Sequence, residues 1–323
     1  MRVGIVGAGM AGLACAARLK SSGIETVLFD KGKRPGGRLS TLSLDSQAWD
    51  FGAQYFKAGE GSFAAQVALW RQAGLVADWD GGPDGALVGV PAMASLIEAQ
   101  SGDHDVRFGS LVQRIESDGL SWFLSGPGLR EGPFAALVIA IPSEQAAPLL
   151  SLHDLHMARE AAAARSQPCW TVMAGFPQPV PVGLDYLADI GAIAWAARDN
   201  SKPGRQSGEC WVIQAGPEWT QRHLEADRDD VASQLLAIFA AEAAAALPNP
   251  SFLKAHRWRF ALSYGQRGQT LWNPKLRLGA CGDWCQSPPI EGAWRSGTEL
   301  AERIAATCAL GEKRPQAAGA ALG

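Results

Sequence analysis

Between Val3 and Leu19 the chain reads VGIVGAGMAGLACAARL, and no other stretch restricts its fold so tightly. A short apolar run, Val3 to Val6, predicts a strand. Gly7, Gly9 and Gly12 follow at G-x-G-x-x-G spacing, and the Ala-rich stretch from Leu13 to Leu19 predicts a helix. Strand, tight turn and helix in that order are the setting in which this spacing binds a dinucleotide. Gly7 turns the chain, Gly9 lets backbone approach a pyrophosphate, and Gly12 lets helix and strand pack closely. The helix start adds unpaired N–H groups and a partial positive charge for the phosphates. A second predicted strand, Glu25 to Phe29, ends in Asp30. That acid lies close to the ~20-residue distance at which a ribose-binding carboxylate is expected.

The rest of the composition excludes more than it selects. A chain of 323 residues has room for two domains. A net charge of −3 gives no pull toward nucleic acid or an anionic membrane. No apolar run reaches the ~18 residues of a membrane span. The opening apolar run reads as the first strand, not as a signal peptide. The six cysteines are scattered, with none at C-x-x-C spacing, and read as free thiols of a cytoplasmic protein. The five histidines show no ligand spacing, so no metal is expected. Twelve tryptophans against three tyrosines supply flat apolar faces, for packing or for lining the pocket of a flat ligand.

Farther along, KGKRPGGRLST sets Gly36, Gly37 and Arg38 in a turn before a predicted strand at Leu39 to Leu44. Arg38 suits a phosphate. Helical spacing marks Ser62 to Ala73 and Met93 to Ala99. Val106 to Phe108, Leu111 to Glu116 and Leu120 to Leu124 read as strands. The apolar run Phe134 to Ile141, closed by Pro142, reads as a buried parallel strand. From Ser143 the pattern changes. Two helical pieces, Ser143 to Leu150 and Asp154 to Ala164, lead to strands near Trp170 to Phe176, Ile193 to Ala197 and Cys210 to Gln214. A long helix at Asp229 to Leu247 and a strand at Phe252 to Phe260 follow. The chain then returns to a strand ending in Asp283 and a helix from about Glu291 to Thr307. The expected fold is α/β: a Rossmann-like three-layer domain from 1–142 and 269–310, and a second α+β domain on an antiparallel sheet at 143–268. Part of 57–105 is free to join the second domain, and 311–323 reads as a disordered tail.

Four separated motifs agree: the N-terminal fingerprint, the GGR turn, the GAQYF segment at 52–56, and the C-terminal GACGDW with IEGAWRSG. Together they resemble the flavin-dependent amine-oxidase superfamily. SKPGR at 201–205, HRW at 256–258 and CGDWC at 281–285 are most similar to its bacterial renalases. The resemblance implies FAD as cofactor, held noncovalently. By motif match it places Gly7, Gly9, Ala11 and Gly12 at the pyrophosphate, Asp30 with Lys31 at the adenosine ribose, and Val112 at adenine through its backbone. It sets Gly37 and Arg38 toward the pyrophosphate or flavin, Gly52, Ala53 and Gln54 beside the flavin, and Asp283 at the ribityl chain. Glu291, Gly292 and Ala293 open a helix toward the flavin N1/C2 edge. Reduced flavin carries negative charge there, which a helix N-terminus stabilises. The side chain of Glu291 needs no flavin to explain it, because an acid is favoured in any first turn.

The implied activity is a FAD-dependent oxidase that converts 2- and 6-dihydronicotinamide dinucleotide isomers to NAD(P)+ with O2 reduced to H2O2. Its partners are a small-molecule substrate and O2, and its assembly a monomer or weak homo-oligomer. The rivals are an amine oxidase or desaturase, and a flavin-binding sensor without catalysis. A dihydropyridine expels hydride with its own nitrogen lone pair, whereas an amine must lose an N–H proton, and no base can be named in the sequence. Gln54, Tyr55, His256, Trp258 and Trp294 are the candidates for the reacting pocket. His256 reads equally as a packed strand histidine, and the two tryptophans as core. Lys202 and Arg205 suit an anionic substrate or a solvated loop.

Overall fold

The computed structural model describes residues 1–206, 208–264 and 270–312. Most of the expected tail therefore lies outside the described residues. Arg2–Val6 forms the middle of a six-stranded sheet in the order Leu271–Asn273, Leu278–Ala280, Ala136–Ile139, Arg2–Val6, Glu25–Asp30, Asp105–Phe108. Only the edge strand Leu271–Asn273 runs antiparallel to its neighbour. Alternation along these strands divides two apolar layers. Val3, Ile5 and Leu28 pack with the helix Met10–Ser21 and the last helix, Pro289–Glu312. Val6, Val27, Phe29, Leu137 and Ile139 face the other way, onto Ala146, Leu150 and Met157. A sheet covered on both faces needs strands that are apolar throughout, as Val3 to Val6 and Ala136 to Ile139 are.

The second layer corrects an expected boundary. Ser143–Leu150 and Leu155–Ala163, assigned from their pattern to the second domain, share a core with the parallel sheet. Helical spacing reports that a face is apolar, not which sheet it meets. The antiparallel sheet begins at Arg165 and runs in the order Tyr186–Ile190, Ile193–Arg198, Glu209–Ala215, Arg165–Phe176, Phe252–Tyr264. Trp170, Val172 and Ala174 lie under the helix Arg228–Glu242 through Val231, Leu235 and Phe239. The alternate residues look away from that helix. A second correction concerns Leu39 to Leu44: Gly37–Leu39 is a 3-10 turn, and the strand Thr41–Leu44 forms a hairpin with Gln47–Asp50. Among the described residues no helix is long and apolar enough to cross a membrane.

Candidate functional site

A cleft of about 650 Å³ runs between the two sheets. Gly9 and Ala11 from the dinucleotide turn and Ile290, Glu291 and Ala293 from the last helix line one end. Cys169, Trp195, Gln214 and Trp258 from the antiparallel sheet line the other, and Gly52 to Tyr55 lie between.

At the first end the three glycines differ in what surrounds them. Gly7 has a φ of +104°, and a Cβ there would stand 2.3 Å from the Ala140 carbonyl oxygen. A Cβ on Gly12 would stand 2.0 Å from the Gly7 carbonyl oxygen, so strand, turn and helix close on each other. A Cβ on Gly9 would meet nothing within 4 Å. The helix that follows has no side-chain cap. Open space in front of free N–H groups is what an anion site requires. Asp30 accepts from the Ala8 N–H at 2.8 Å and the Gly32 N–H at 2.7 Å, which fastens the turns after both strands. A carboxylate offers about four lone-pair sites, so acceptor capacity remains for a ribose hydroxyl. Gly7, Gly12, Asp30, exposed Lys31, Gly37, buried Val112 and Gly292 are not among the residues lining the cleft. Gly292 shapes it from behind, its absent Cβ only 2.1 Å from the Gln286 carbonyl oxygen.

Several expected site residues also hold partners within the chain, and two lie away from the cleft. Arg38 and Asp283, each expected to meet the cofactor, both line the cleft and meet each other in a two-pronged pair at 2.6 and 2.5 Å. Glu291 accepts from the Gly59 N–H at 3.1 Å and ties that loop to the last helix. His256 does not line the cleft. Its ring lies 4.4 Å from Trp258 and 5.0 Å from Phe51, and burial, helped by Arg228 and Lys254, pushes its pKa down to about 4. Trp294 packs into the core, 5.6 Å from Phe63, and leaves the cleft to Ala293. Cys285, one of the cysteines read as free thiols, is 2% exposed, and burial raises its thiol pKa.

The middle and far end keep Gln54, Tyr55 and Trp258. The Trp258 indole donates to the Phe51 carbonyl at 2.8 Å. Tyr55 packs on Trp195 at 5.2 Å, and Trp195 stacks on Tyr186 at 4.8 Å. Burial and then Tyr186 push the Tyr55 phenol up, and burial pushes the Cys169 thiol up to about 11, so both hold their protons at neutral pH. Lys202 and Arg205 are not solvated and do not face a substrate. Their side chains are 0% and 2% exposed and pair with Asp50 and Asp199, both fully buried. The sequence reading did not reach Cys169, Trp195, Gln214, Asp50 or Asp199. Trp195 had a signal in the tryptophan excess, and Asp199 had one in its spacing of three residues from Lys202.

The family described as NAD(P)-binding Rossmann-like domain matches residues 5–72. Over 51 residues the chain is 47% identical to the zeta-carotene-forming phytoene desaturase of Myxococcus xanthus, which is 16% of this chain and 10% of that protein. Over 60 residues it is 40% identical to the mitochondrial protoporphyrinogen oxidase of Nicotiana tabacum, 19% of this chain and 12% of that one. These matches span about a tenth of the relatives' length. Similarity to solved structures extends over nearly the whole chain. A putative protoporphyrinogen oxidase from Exiguobacterium sp. 255-15 superimposes with a TM-score of 0.74 at 13% identity, over 94% of this chain and 98% of that one. Cyclohexylamine oxidase from Brevibacterium oxydans IH-35A gives 0.70 at 15% identity, over 95% and 99%. The chain therefore carries a Rossmann-like segment at residues 5–72 and, over about 95% of its length, the fold of these oxidases.

Proposed function

We propose that the protein is a FAD-dependent oxidoreductase, and within that class an oxidase of 2- and 6-dihydronicotinamide dinucleotides that uses oxygen as acceptor. The cleft suits a dinucleotide: Gly9 opens onto free space beside an uncapped helix start, and the last helix begins at the same end. Gly9, Ala11 and the backbone at 290–293 would hold FAD, with Asp30 beneath its ribose. When bound, FAD supplies a two-electron acceptor for a carbon-bound hydride and returns the electrons to oxygen. The parallel-sheet unit takes the cofactor role and the antiparallel sheet the substrate role.

The observation that carries the narrower reading is an aromatic cleft whose two lining carboxylates, among the described residues, are already engaged. Tyr55 and Cys169 keep their protons, Asp283 is held by Arg38, and Glu291 is held by Gly59. A substrate that must shed an N–H proton finds no acceptor among these groups, and a dihydropyridine needs none. Tyr55 and Trp195 give a flat ring a surface to lie on. Amine oxidation is the second reading, favoured by the fold shared with cyclohexylamine oxidase. Anaerobic stopped-flow absorbance separates them. The 2- and 6-dihydro isomers should bleach the flavin band rapidly, and the 4-dihydro form slowly, because reacting atoms must come within about 3–3.5 Å. Readmitted oxygen should yield peroxide. Faster bleaching by monoamines would transfer the protein to the amine oxidases, and no bleaching by any donor would make it a sensor.

A further inference from the structure

Behind the middle of the cleft lies a cluster of four charges that the proposed reaction does not use. Asp50 ends the hairpin strand, and Asp199, Lys202 and Arg205 come from the turn after Ile193–Arg198. Two carboxylates face two cations, so the set is neutral, and all four side chains are buried. A neutral cluster of this kind gives little stability over an apolar set of the same shape, since desolvation consumes much of the attraction. Its presence asks for a use other than stability.

The use follows from where the protons of Lys202 go. Its ammonium has three, and it has three acceptors: Asp199 Oδ1, Asp50 Oδ2 at 3.2 Å and Gln54 Oε1 at 3.2 Å. Gln54 lines the cleft. Its amide nitrogen gives both protons to the chain behind it, to the Asp50 carbonyl and to the Gly52 carbonyl at 3.1 Å. A flipped amide would set N–H against ammonium and lose both carbonyl bonds, so only one orientation satisfies every group. The same ammonium lies 5.5 Å from the centre of the Trp79 ring. Trp79 contacts Trp195 at 6.4 Å, and Trp195 carries Tyr55. Gln54 and Tyr55, neighbours in the chain and both on the cleft wall, are thus held from one buried cation by two routes.

We propose that Lys202 is a positioning residue for the cleft: it locks the Gln54 amide through a hydrogen bond and steadies Tyr55 through Trp79 and Trp195. The assignment of that wall to substrate rests on the function proposed above, but the lock itself does not. Lys202 touches neither cofactor nor substrate space, and it acts through residues that do. A wall displaced by about 1 Å can cost a hundredfold in rate.

The test uses the full-length protein and two variants. Lys202→Met alone strands a buried carboxylate and risks unfolding. Lys202→Met with Asp199→Asn removes one charge of each sign and leaves Asp50 paired with Arg205. The readout is the side-chain amide signal pair of Gln54 in nitrogen-15 spectra, assigned by its loss in Gln54→Leu. In the parent protein the pair should be resolved and protected from hydrogen exchange. In the double variant it should lose protection at least tenfold while the backbone spectrum is kept, and the anaerobic bleaching rate should fall roughly tenfold to a hundredfold. A folded double variant whose Gln54 pair stays protected overturns the proposal. So does a double variant that does not fold, because the cluster then holds the sheets together and not the amide. If the Gln54 pair behaves as expected but no dihydronicotinamide bleaches the parent protein, the lock stands and the substrate reading falls.

Discussion

The two ends of the cleft are built from different materials. At the dinucleotide end the chain works with backbone: two glycines close the turn, a third leaves it open, and Asp30 fastens two loops through their N–H groups. At the antiparallel-sheet end it works with side chains: Tyr55 on Trp195, Trp258 on Phe51, and Gln54 on a buried ion cluster. The turns of the first end are local, fastened between Val3 and Gly32, with the last helix laid beside them. The second joins Asp50 and Gln54 to Asp199, Lys202 and Arg205 across the chain. A local device fails piece by piece, whereas a long-range device fails as a set. The sharpest way to expose that difference is Asp50→Ala. Asp50 accepts from Thr41 at 2.6 Å and the Met93 N–H at 3.0 Å besides Lys202 and Arg205, which hold its carboxyl below the usual range despite burial. Removing one partner of a buried ion set costs about 3–5 kcal/mol. Urea unfolding should show that loss, and a change under 1 kcal/mol would mean the set tolerates piecemeal repair.

That contrast also explains what could be read from the sequence. The glycine spacing, the strand ending in Asp30 and the apolar run near Ile139 are local patterns, and the parallel sheet follows from them. Tyr55, Gln54 and Trp258 were found by motif and do line the cleft. What the sequence lacked was knowledge of distant partners. Arg38 and Asp283 both line the cleft, but their pairing with each other across 245 positions leaves no local sign. His256 and Trp258 share a strand face and both touch Phe51, yet only Trp258 lines the cleft. Lys202 and Arg205 sit in a glycine- and proline-containing polar turn, a composition that normally means solvent. Asp50, far away in sequence, draws them inside.

The dinucleotide end is sharpened by two glycine substitutions with opposite outcomes. Gly12→Ala puts a methyl group 2.0 Å from the Gly7 carbonyl oxygen, a backbone atom that cannot swing away. Overpacking of this kind costs about 1–3 kcal/mol, and the melting temperature should fall with it. Gly9→Val adds a larger group where nothing stands within 4 Å, at an extended φ of −85° that valine adopts freely. Its stability without cofactor should stay within about 0.5 kcal/mol of the parent protein, as for surface changes. Purified Gly9→Val should nonetheless carry little or no flavin, because the side chain fills the space in front of the helix N–H groups. Full flavin content in that variant would move the phosphate site elsewhere.

The smallest expected effect tests whether the far end holds any titrating group that matters near neutrality. His256 is the candidate: burial, with Arg228 and Lys254 adding repulsion, takes its imidazole from an ordinary 6.5 down to about 4. The unfolded chain therefore binds a proton at His256 well before the folded chain does. Its neutral form contributes fully to stability above about pH 6.5, and that contribution is lost as pH falls toward 4. The ring is partly open to solvent, so screening reduces the contribution to about 1 kcal/mol. His256→Phe keeps an aromatic ring between Phe51 and Trp258 and removes the proton site. Carboxylates titrate in the same window in both proteins, so the difference between their stability curves isolates the histidine. That difference should be flat from pH 8 to 7 and should swing in favour of His256→Phe by about 1 kcal/mol between pH 6.5 and 4. A swing of the opposite direction would require a carboxylate partner for His256. A parallel loss of flavin bleaching rate in His256→Phe at pH 8 would show that the ring supports Trp258 in the cleft and does more than fill the strand face.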